Sequence, residues 1–177
     1  HDIELLDGQD AVSVDQLQKQ LNLGDGSQHD YDKLVLATGA VPRQLAAAAG
    51  LDGVFVLRHL DDAHALRKAV SGRQQAVVIG GGYIGLEVAA SLTKLGLRVD
   101  VIEMADRLLA RVASPQISAF FAELHQSHDV GLHIGANCRD ILQKDGAFTG
   151  VQLDDMLAQV ILPAQDRGTM GALEIEH

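Results

Sequence analysis

Tryptophan is absent from the 177 residues, and only two Tyr and four Phe are present. A core must therefore be built from Leu, Val, Ile and Ala, and the 47% apolar content is enough to build a sizeable one. Cysteine occurs once, at Cys138, which excludes an internal disulfide framework and a CxxC pair within these residues. Cys138 itself reads as a small buried hydrophobe. Lys and Arg number 14 against 24 Asp and Glu, and the net charge of −10 offers nucleic acid no basic face. No apolar run approaches the about 20 residues of a membrane-spanning helix, and the opening His1-Asp-Ile-Glu4 is not a signal peptide. No Ser stands in a G-x-S-x-G elbow, so hydrolase chemistry has no foothold. A soluble protein of a reducing compartment, the cytoplasm, is the expectation.

What the chain does have is glycine in one telling arrangement. Ala76-Val-Val-Ile-Gly-Gly-Gly-Tyr-Ile-Gly-Leu-Glu87 opens with an apolar β-branched run that reads as a strand buried on both faces. Gly80, Gly82 and Gly85 follow in G-x-G-x-x-G spacing, and a helical pattern then runs to Leu95. In this motif Gly80 allows the tight turn, Gly82 lets a pyrophosphate approach the backbone, and Gly85 lets helix and strand pack closely. The new helix aims its unpaired N–H groups and positive dipole end at the phosphates. The spacing alone is common. Its context is more specific: Gly96 can close the helix, a second strand spans Arg98 to Glu103, and that strand ends on a carboxylate 23 residues after Gly80. A dinucleotide fold puts there the acid that accepts the adenosine ribose hydroxyls. The expected class is α/β, a Rossmann-like NAD(P)-binding domain with a parallel sheet.

Around this unit the pattern is uneven. Residues 3–6 and 10–15 read as short strands, Leu17 to Leu23 alternates, and Asp25-Gly26 supplies hairpin chemistry. Leu34 to Ala37 reads as a buried strand ending in Thr38-Gly39. The Ala-rich stretch near Leu45–Ala49 reads as loop or a short turn, and Val54 to Leu57 as a strand. Asp61 or Asp62 can cap a helix that Gly72 stops. Ser114-Pro115 marks another helix start, whose stripe Ile117, Phe120, Phe121 and Leu124 reads as core packing. Val130 to Ile134 and Phe148 to Leu153 are strands, with Asp145-Gly146 a turn between the latter and Ile141-Leu142. His125, His128 and His133 lack an acid or Cys cluster to complete a metal set, so no metal is expected and they read as a solvated face.

Taken together, these stretches resemble the FAD-containing pyridine-nucleotide oxidoreductases, most closely the NADH-dependent ferredoxin, rubredoxin and putidaredoxin reductases. The resemblance rests on Tyr31-Asp-Lys-Leu-Val-Leu-Ala-Thr-Gly-Ala-Val-Pro-Arg43, on Gly53-Val-Phe-Val-Leu-Arg-His-Leu-Asp-Asp-Ala63, and on the glycine loop with Tyr83-Ile-Gly-Leu-Glu-Val-Ala-Ala90. Val101-Ile-Glu-Met-Ala-Asp-Arg-Leu-Leu-Ala-Arg111 completes it, with His125 and Val130-Gly131 beyond. It implies that residues 1–53 are a partial FAD-binding domain and linker, that 54–155 are the NAD(H)-binding domain, and that 156–177 are a tail open to a partly non-native origin. A flavin-type glycine loop and a third domain are not among these residues, so the chain resembles an NAD-binding region of a longer enzyme.

The resemblance also implies roles. Gly80, Gly81, Gly82, Tyr83, Ile84, Gly85, Glu103 and Arg107 would contact NADH; Thr38, Gly39 and Arg43 would lie by FAD. Tyr83 would be the aromatic gate over the flavin, and Glu87 the carboxylate beside the nicotinamide. From the residues alone, a surface Tyr and a Glu favoured by the helix dipole fit equally well. The implied enzyme passes hydride from NADH to FAD and on to a small iron–sulfur carrier. A disulfide reductase or NADH oxidase of the same superfamily, or a non-catalytic dinucleotide-binding module, is the alternative. Oligomeric state has no signal.

Overall fold

The structure, a computed structural model, describes residues 3–42, 44–154, 159–161 and 169–174. It divides into two compact units, His1–Ala40 and Val41–His177. The first is a small antiparallel sheet of β1 (Ala11–Asp15), β2 (Gln20–Leu23) and β3 (Gln28–Asp30), in that order. Aspartates make its turns. Asp15 accepts the N–H groups of Leu17 and Gln18, each at 2.9 Å, and Asp25 accepts the hydroxyl of Ser27 at 2.6 Å and its N–H at 2.9 Å. These two bonds from Ser27 hold the Asp25 carboxyl below its ordinary range.

Three strand expectations change here. The Asp15 turn takes up the residues before Gln20, so Leu17 is 98% exposed and the alternating run is a strand only from Gln20. Residues 3–6 form no strand, and Ile3 and Leu5 are exposed. Leu34 to Ala37 is also without strand structure, with Val35 and Leu36 exposed. An apolar run becomes a buried strand only with ladder partners and covering layers, and among the described residues none pairs with it.

The second unit is a three-layer α/β body. Its middle layer is a parallel sheet ordered β4 (Phe55–Val56), β11 (Thr169–Glu174), β5 (Gln75–Ile79), β6 (Arg98–Glu103), β7 (Gly131–Ile134). Helices α1 (Leu60–Ala69), α2 (Tyr83–Lys94) and α3 (Pro115–Gln126) connect β4, β5, β6 and β7 in turn. The other face carries an antiparallel sheet of β8 (Cys138–Lys144), β9 (Ala147–Leu153) and β10 (Gln159–Ile161). This sheet is the return path from β7 to β11.

The alternation of side chains in β5 explains the layering. Ala76, Val77 and Val78 are all fully buried, because both faces of β5 are covered. Ala76 and Val78 pack with Val99 and Val101 of β6, Leu66 of α1, and Val88, Ala89 and Leu92 of α2. Val77 points the other way, to Ile102, Ile141, Phe148 and Val151. A third cluster, Leu86, Leu108 and Leu109 with Phe121 and Leu132, joins α2 to α3 through the segment after β6.

Details of the helix ends differ from expectation in instructive ways. His59, not Asp61 or Asp62, is the N-cap of α1; Asp62 stands at N3 and accepts the N–H groups of His59 at 2.7 Å and Arg58 at 2.9 Å. Ser114 caps α3 as expected, accepting the Ile117 N–H at 3.4 Å, with Pro115 opening the helix. The stripe on α3, however, is mostly outside: Ile117, Phe120 and Leu124 are 46%, 57% and 40% exposed, and the buried polar positions are Ser118 and His125. Cys138 is half-buried, its thiol donating to the Asp140 carbonyl at 3.7 Å. Residues 156–177, weakly patterned in the sequence, include β10 and β11, and β11 lies between β4 and β5. No helix among the described residues is long and apolar enough to cross a membrane.

Candidate functional site

The carboxyl end of β5 leads through the three glycines into α2. Gly80 has φ 112°, a conformation that excludes a side chain, and its N–H donates to the Ile102 carbonyl at 2.8 Å. A Cβ on Gly85 would overlap the Gly80 carbonyl oxygen, so strand and helix meet there with no room for any other residue. Gly82 differs from both. Its backbone, φ −80° and ψ −177°, is ordinary extended chain open to any residue. It is also the N-cap of α2 and offers no side-chain acceptor, so the N–H groups of the first turn have no side-chain cap, an arrangement that suits an anion.

Gly81 belongs to the packing of this turn. It is buried, and a Cβ there would come 2.7 Å from Leu108 Cδ2 and 3.0 Å from both Cβ and Oε2 of Glu103. Its carbonyl accepts the Leu109 N–H at 3.0 Å. Leu108 and Leu109, at 1% and 2% exposure, thus clamp the segment after β6 onto the glycine turn. Sequence reasoning missed this clamp, although three glycines in a row, one more than the motif requires, were its signal.

Glu103 ends β6 half-buried, with both oxygens oriented by backbone. Oε2 accepts the Gly81 N–H and Oε1 accepts the Ala105 N–H, each at 2.7 Å. A carboxylate has about four lone-pair sites. One on each oxygen therefore remains for hydroxyl donors. Arg107, four residues on, turns away from open solvent: Nη2 donates to the Ala110 carbonyl at 2.7 Å, and Nη1 donates to the Ala113 carbonyl and Ser118 Oγ, both at 2.9 Å.

Tyr83 and Glu87 stand four apart on α2, hence on one helix face, and both are exposed, Tyr83 at 47%. Ile84 beside them is 38% exposed, whereas Leu86, Val88 and Ala89 face the core. The structure thus brings residues 80–85, Glu87, Glu103 and Arg107 together around one strand-end. Thr38 and Gly39 belong to the first unit, where both are exposed and Gly39 has φ 77°. Arg43 lies outside the described residues.

The histidines are not one solvated face. His125 is buried at 7% exposure, and desolvation, with the charge of His128 second, lowers its pKa below 6.5. His128 caps the end of α3, with Nδ1 2.9 Å from the Leu124 carbonyl. His133 Nε2 lies 3.0 Å from Asp100 Oδ1 across β6 and β7. No group of three or more His, Cys, Asp or Glu among the described residues could hold a metal.

Known proteins resemble this chain in sequence and fold. The chain is 42% identical over 137 residues to putidaredoxin reductase of Pseudomonas putida, covering 75% of this chain and 32% of that protein. It is 40% identical over 156 residues to the ferredoxin reductase subunit of a 5,5'-dehydrodivanillate O-demethylase from a Sphingobium species, covering 86% and 38%. The crystal structure of a ferredoxin reductase for the CYP199A2 system of Rhodopseudomonas palustris superposes with a TM-score of 0.76 at 36% identity, covering 94% of this chain and 39% of that one. The chain therefore spans about a third of the length of the curated relatives it matches. Residues 1–161 match the family model described as pyridine nucleotide-disulphide oxidoreductase, and the chain belongs to that family.

Proposed function

We propose that the β5–α2 turn and Glu103 hold NADH, and that the chain is the NADH-binding part of a flavoprotein oxidoreductase that serves a small iron–sulfur electron carrier in the cytoplasm. One observation carries the reading: a glycine N-cap without backbone need for glycine directly follows Gly81, whose N–H holds a carboxylate with both oxygens oriented by main-chain N–H groups. The donor chemistry fits a dinucleotide. Bare Gly82 and the first turn of α2 suit a pyrophosphate, and the free lone pairs of Glu103 suit paired ribose hydroxyls.

When bound, nicotinamide and FAD supply the hydride-transfer chemistry. The chain's own residues bind and orient. Glu103 fixes the adenosine end, Gly82 sets the distance of closest approach, and Glu87 and Tyr83, on the exposed face of α2, serve the nicotinamide end as amide acceptor and aromatic cover. Thr38, Gly39 and Arg43 are assigned to FAD by family resemblance. A carrier of the ferredoxin kind is supported by the relatives, which include a putidaredoxin reductase and a covalent putidaredoxin reductase–putidaredoxin complex.

Cofactor choice tests the reading. A 2′-phosphate in place of one ribose hydroxyl would meet the Glu103 carboxylate, and two unit charges at about 4 Å repel by roughly 4 kcal/mol at an effective dielectric of 20. Solvent and salt reduce this at a half-buried site, leaving about 1–3 kcal/mol, or roughly ten- to a hundredfold in favour of NADH. Glu103→Arg is expected to narrow or reverse that ratio in a titration of both cofactors. Equal affinity of the wild-type chain for NADH and NADPH at low salt would remove Glu103 from this role.

A further inference from the structure

We propose that Ser118 is a positioning residue for cofactor choice: with the carbonyls of Ala110 and Ala113 it sequesters the Arg107 guanidinium and so withholds that cation from a 2′-phosphate. The inference rests on the reading that NADH binds at the β5–α2 turn, and deepens it by adding a buried residue that touches no cofactor.

The geometry assigns this role through chain connectivity. Arg107 directly precedes Leu108, and the side chains of Leu108 and Glu103 would both lie within 3.0 Å of a Cβ on Gly81. The arginine therefore emerges beside the same glycine that the Glu103 carboxylate holds. An arginine side chain is long and permanently charged, and its fork of donors matches a phosphate. Left free at this place, it would offset the repulsion that Glu103 exerts on a phosphate.

It is not left free. Three hydrogen bonds of 2.7–2.9 Å direct the guanidinium back into the segment it belongs to. Two of the acceptors are carbonyls of that same segment, and the third is a hydroxyl on a different element, at the end of the first turn of α3. Ser118 is only 3% exposed, and its Oγ both accepts from Arg107 Nη1 and donates to the Leu108 carbonyl at 2.6 Å. One hydroxyl therefore fixes both the arginine and the backbone of the leucine that packs on Gly81. Among the three acceptors it is the one a side-chain substitution can remove.

A cycle of variants tests the proposal on the 177-residue chain, with NADH and NADPH titrated separately. Ser118→Val removes the acceptor and sets an apolar methyl group against the guanidinium in place of the hydroxyl. The expected result is a rise of about tenfold in NADPH affinity relative to NADH at low salt, the scale of a lost hydrogen bond to a charged group. The rise should shrink at high salt, as a phosphate–guanidinium contact requires. It should also disappear in Ser118→Val/Arg107→Ala, because the cation that causes it is gone. Ser118→Ala, read by the same ratio, replaces Ser118→Val if the larger side chain unfolds the segment. An unchanged ratio, or a rise that persists in the double variant, overturns the proposal while leaving NADH binding intact. Failure of the wild-type chain to bind NADH at all would instead overturn the underlying reading, and the two failures are distinct.

Discussion

Glu103 Oε2 accepts the Gly81 N–H at 2.7 Å, so the end of β6 is tied to the turn that leaves β5. The same carboxylate holds the Ala105 N–H, and the chain beyond it returns through Leu109 to the Gly81 carbonyl. A ring of main-chain and carboxylate bonds thereby sets the carboxylate's direction before any ligand arrives. Preorientation of this kind lowers the ordering cost of binding.

This ring makes the middle glycine structural. Gly81→Ala would force Leu108 and Glu103 apart, and Gly85→Ala would press a methyl group into the Gly80 carbonyl. Each is expected to lower stability by about 1–3 kcal/mol, the ordinary range for overpacking. Urea denaturation of the two variants checks this, with the larger loss at Gly85, where the obstacle is backbone.

The aromatic pair on α3 separates packing from exposure. Phe120 and Phe121 meet edge to face at 5.7 Å between ring centroids, yet Phe120 is 57% exposed while Phe121 packs on Leu86, Leu108 and Leu109. Phe120→Ala should cost less than about 1 kcal/mol, little beyond the edge contact. Phe121→Ala should cost on the order of 2 kcal/mol, because it opens a gap beside the clamp over Gly81. Thermal melts of both variants distinguish them.

Burial of His125 gives stability a pH dependence of known sign. Desolvation lowers its pKa in the folded chain below the 6.5 of an unperturbed histidine. The unfolded chain therefore binds the proton first, and stability is fully present above pH 6.5, then lost as pH falls through the range below it. The lowered carboxyls of Asp25 and Asp62 act only below 3.8, outside that window. Melting temperatures between about pH 5 and 8 should fall on acidification, and His125→Gln should flatten the decline.

How much of this was legible in the sequence depends on the range of the interaction. The β5–α2–β6 unit could be read because each step is local: a β-branched run, glycines at fixed spacing, Gly96 at the helix end, and an acid at the end of the next strand. Strands whose partners lie far along the chain could not. Thr169–Glu174 is short, carries Gly171, and pairs with β4 and β5, which only folding brings near it. Leu34 to Ala37 shows the converse, an apolar run with every strand signal and no ladder among the described residues. On α3, periodicity revealed the helix and the inward place of Phe121 but misassigned the rest of the face, because Arg107 and the clamp leucines draw Ser118 inward and leave Ile117 and Phe120 outside.

The site was legible in its residue types and less so in its connections. Glu103 could be placed from spacing alone, but its bonds to Gly81 and Ala105 depend on how the segment after β6 folds back. Arg107 stood only among the residues that the resemblance puts against NADH, since nothing in the local pattern links it to Ser118 eleven residues later.

The most direct measurement is titration of NADH fluorescence with the wild-type chain and with Gly82→Val. The backbone at Gly82, φ −80° and ψ −177°, admits valine, so the variant should fold with a circular dichroism spectrum like that of the wild type. Its side chain would occupy the place of the pyrophosphate. Saturable NADH binding by the wild-type chain, abolished in the folded variant, is the expected result; equal binding by both, or none by the wild-type chain, would contradict the assignment of this turn to the dinucleotide.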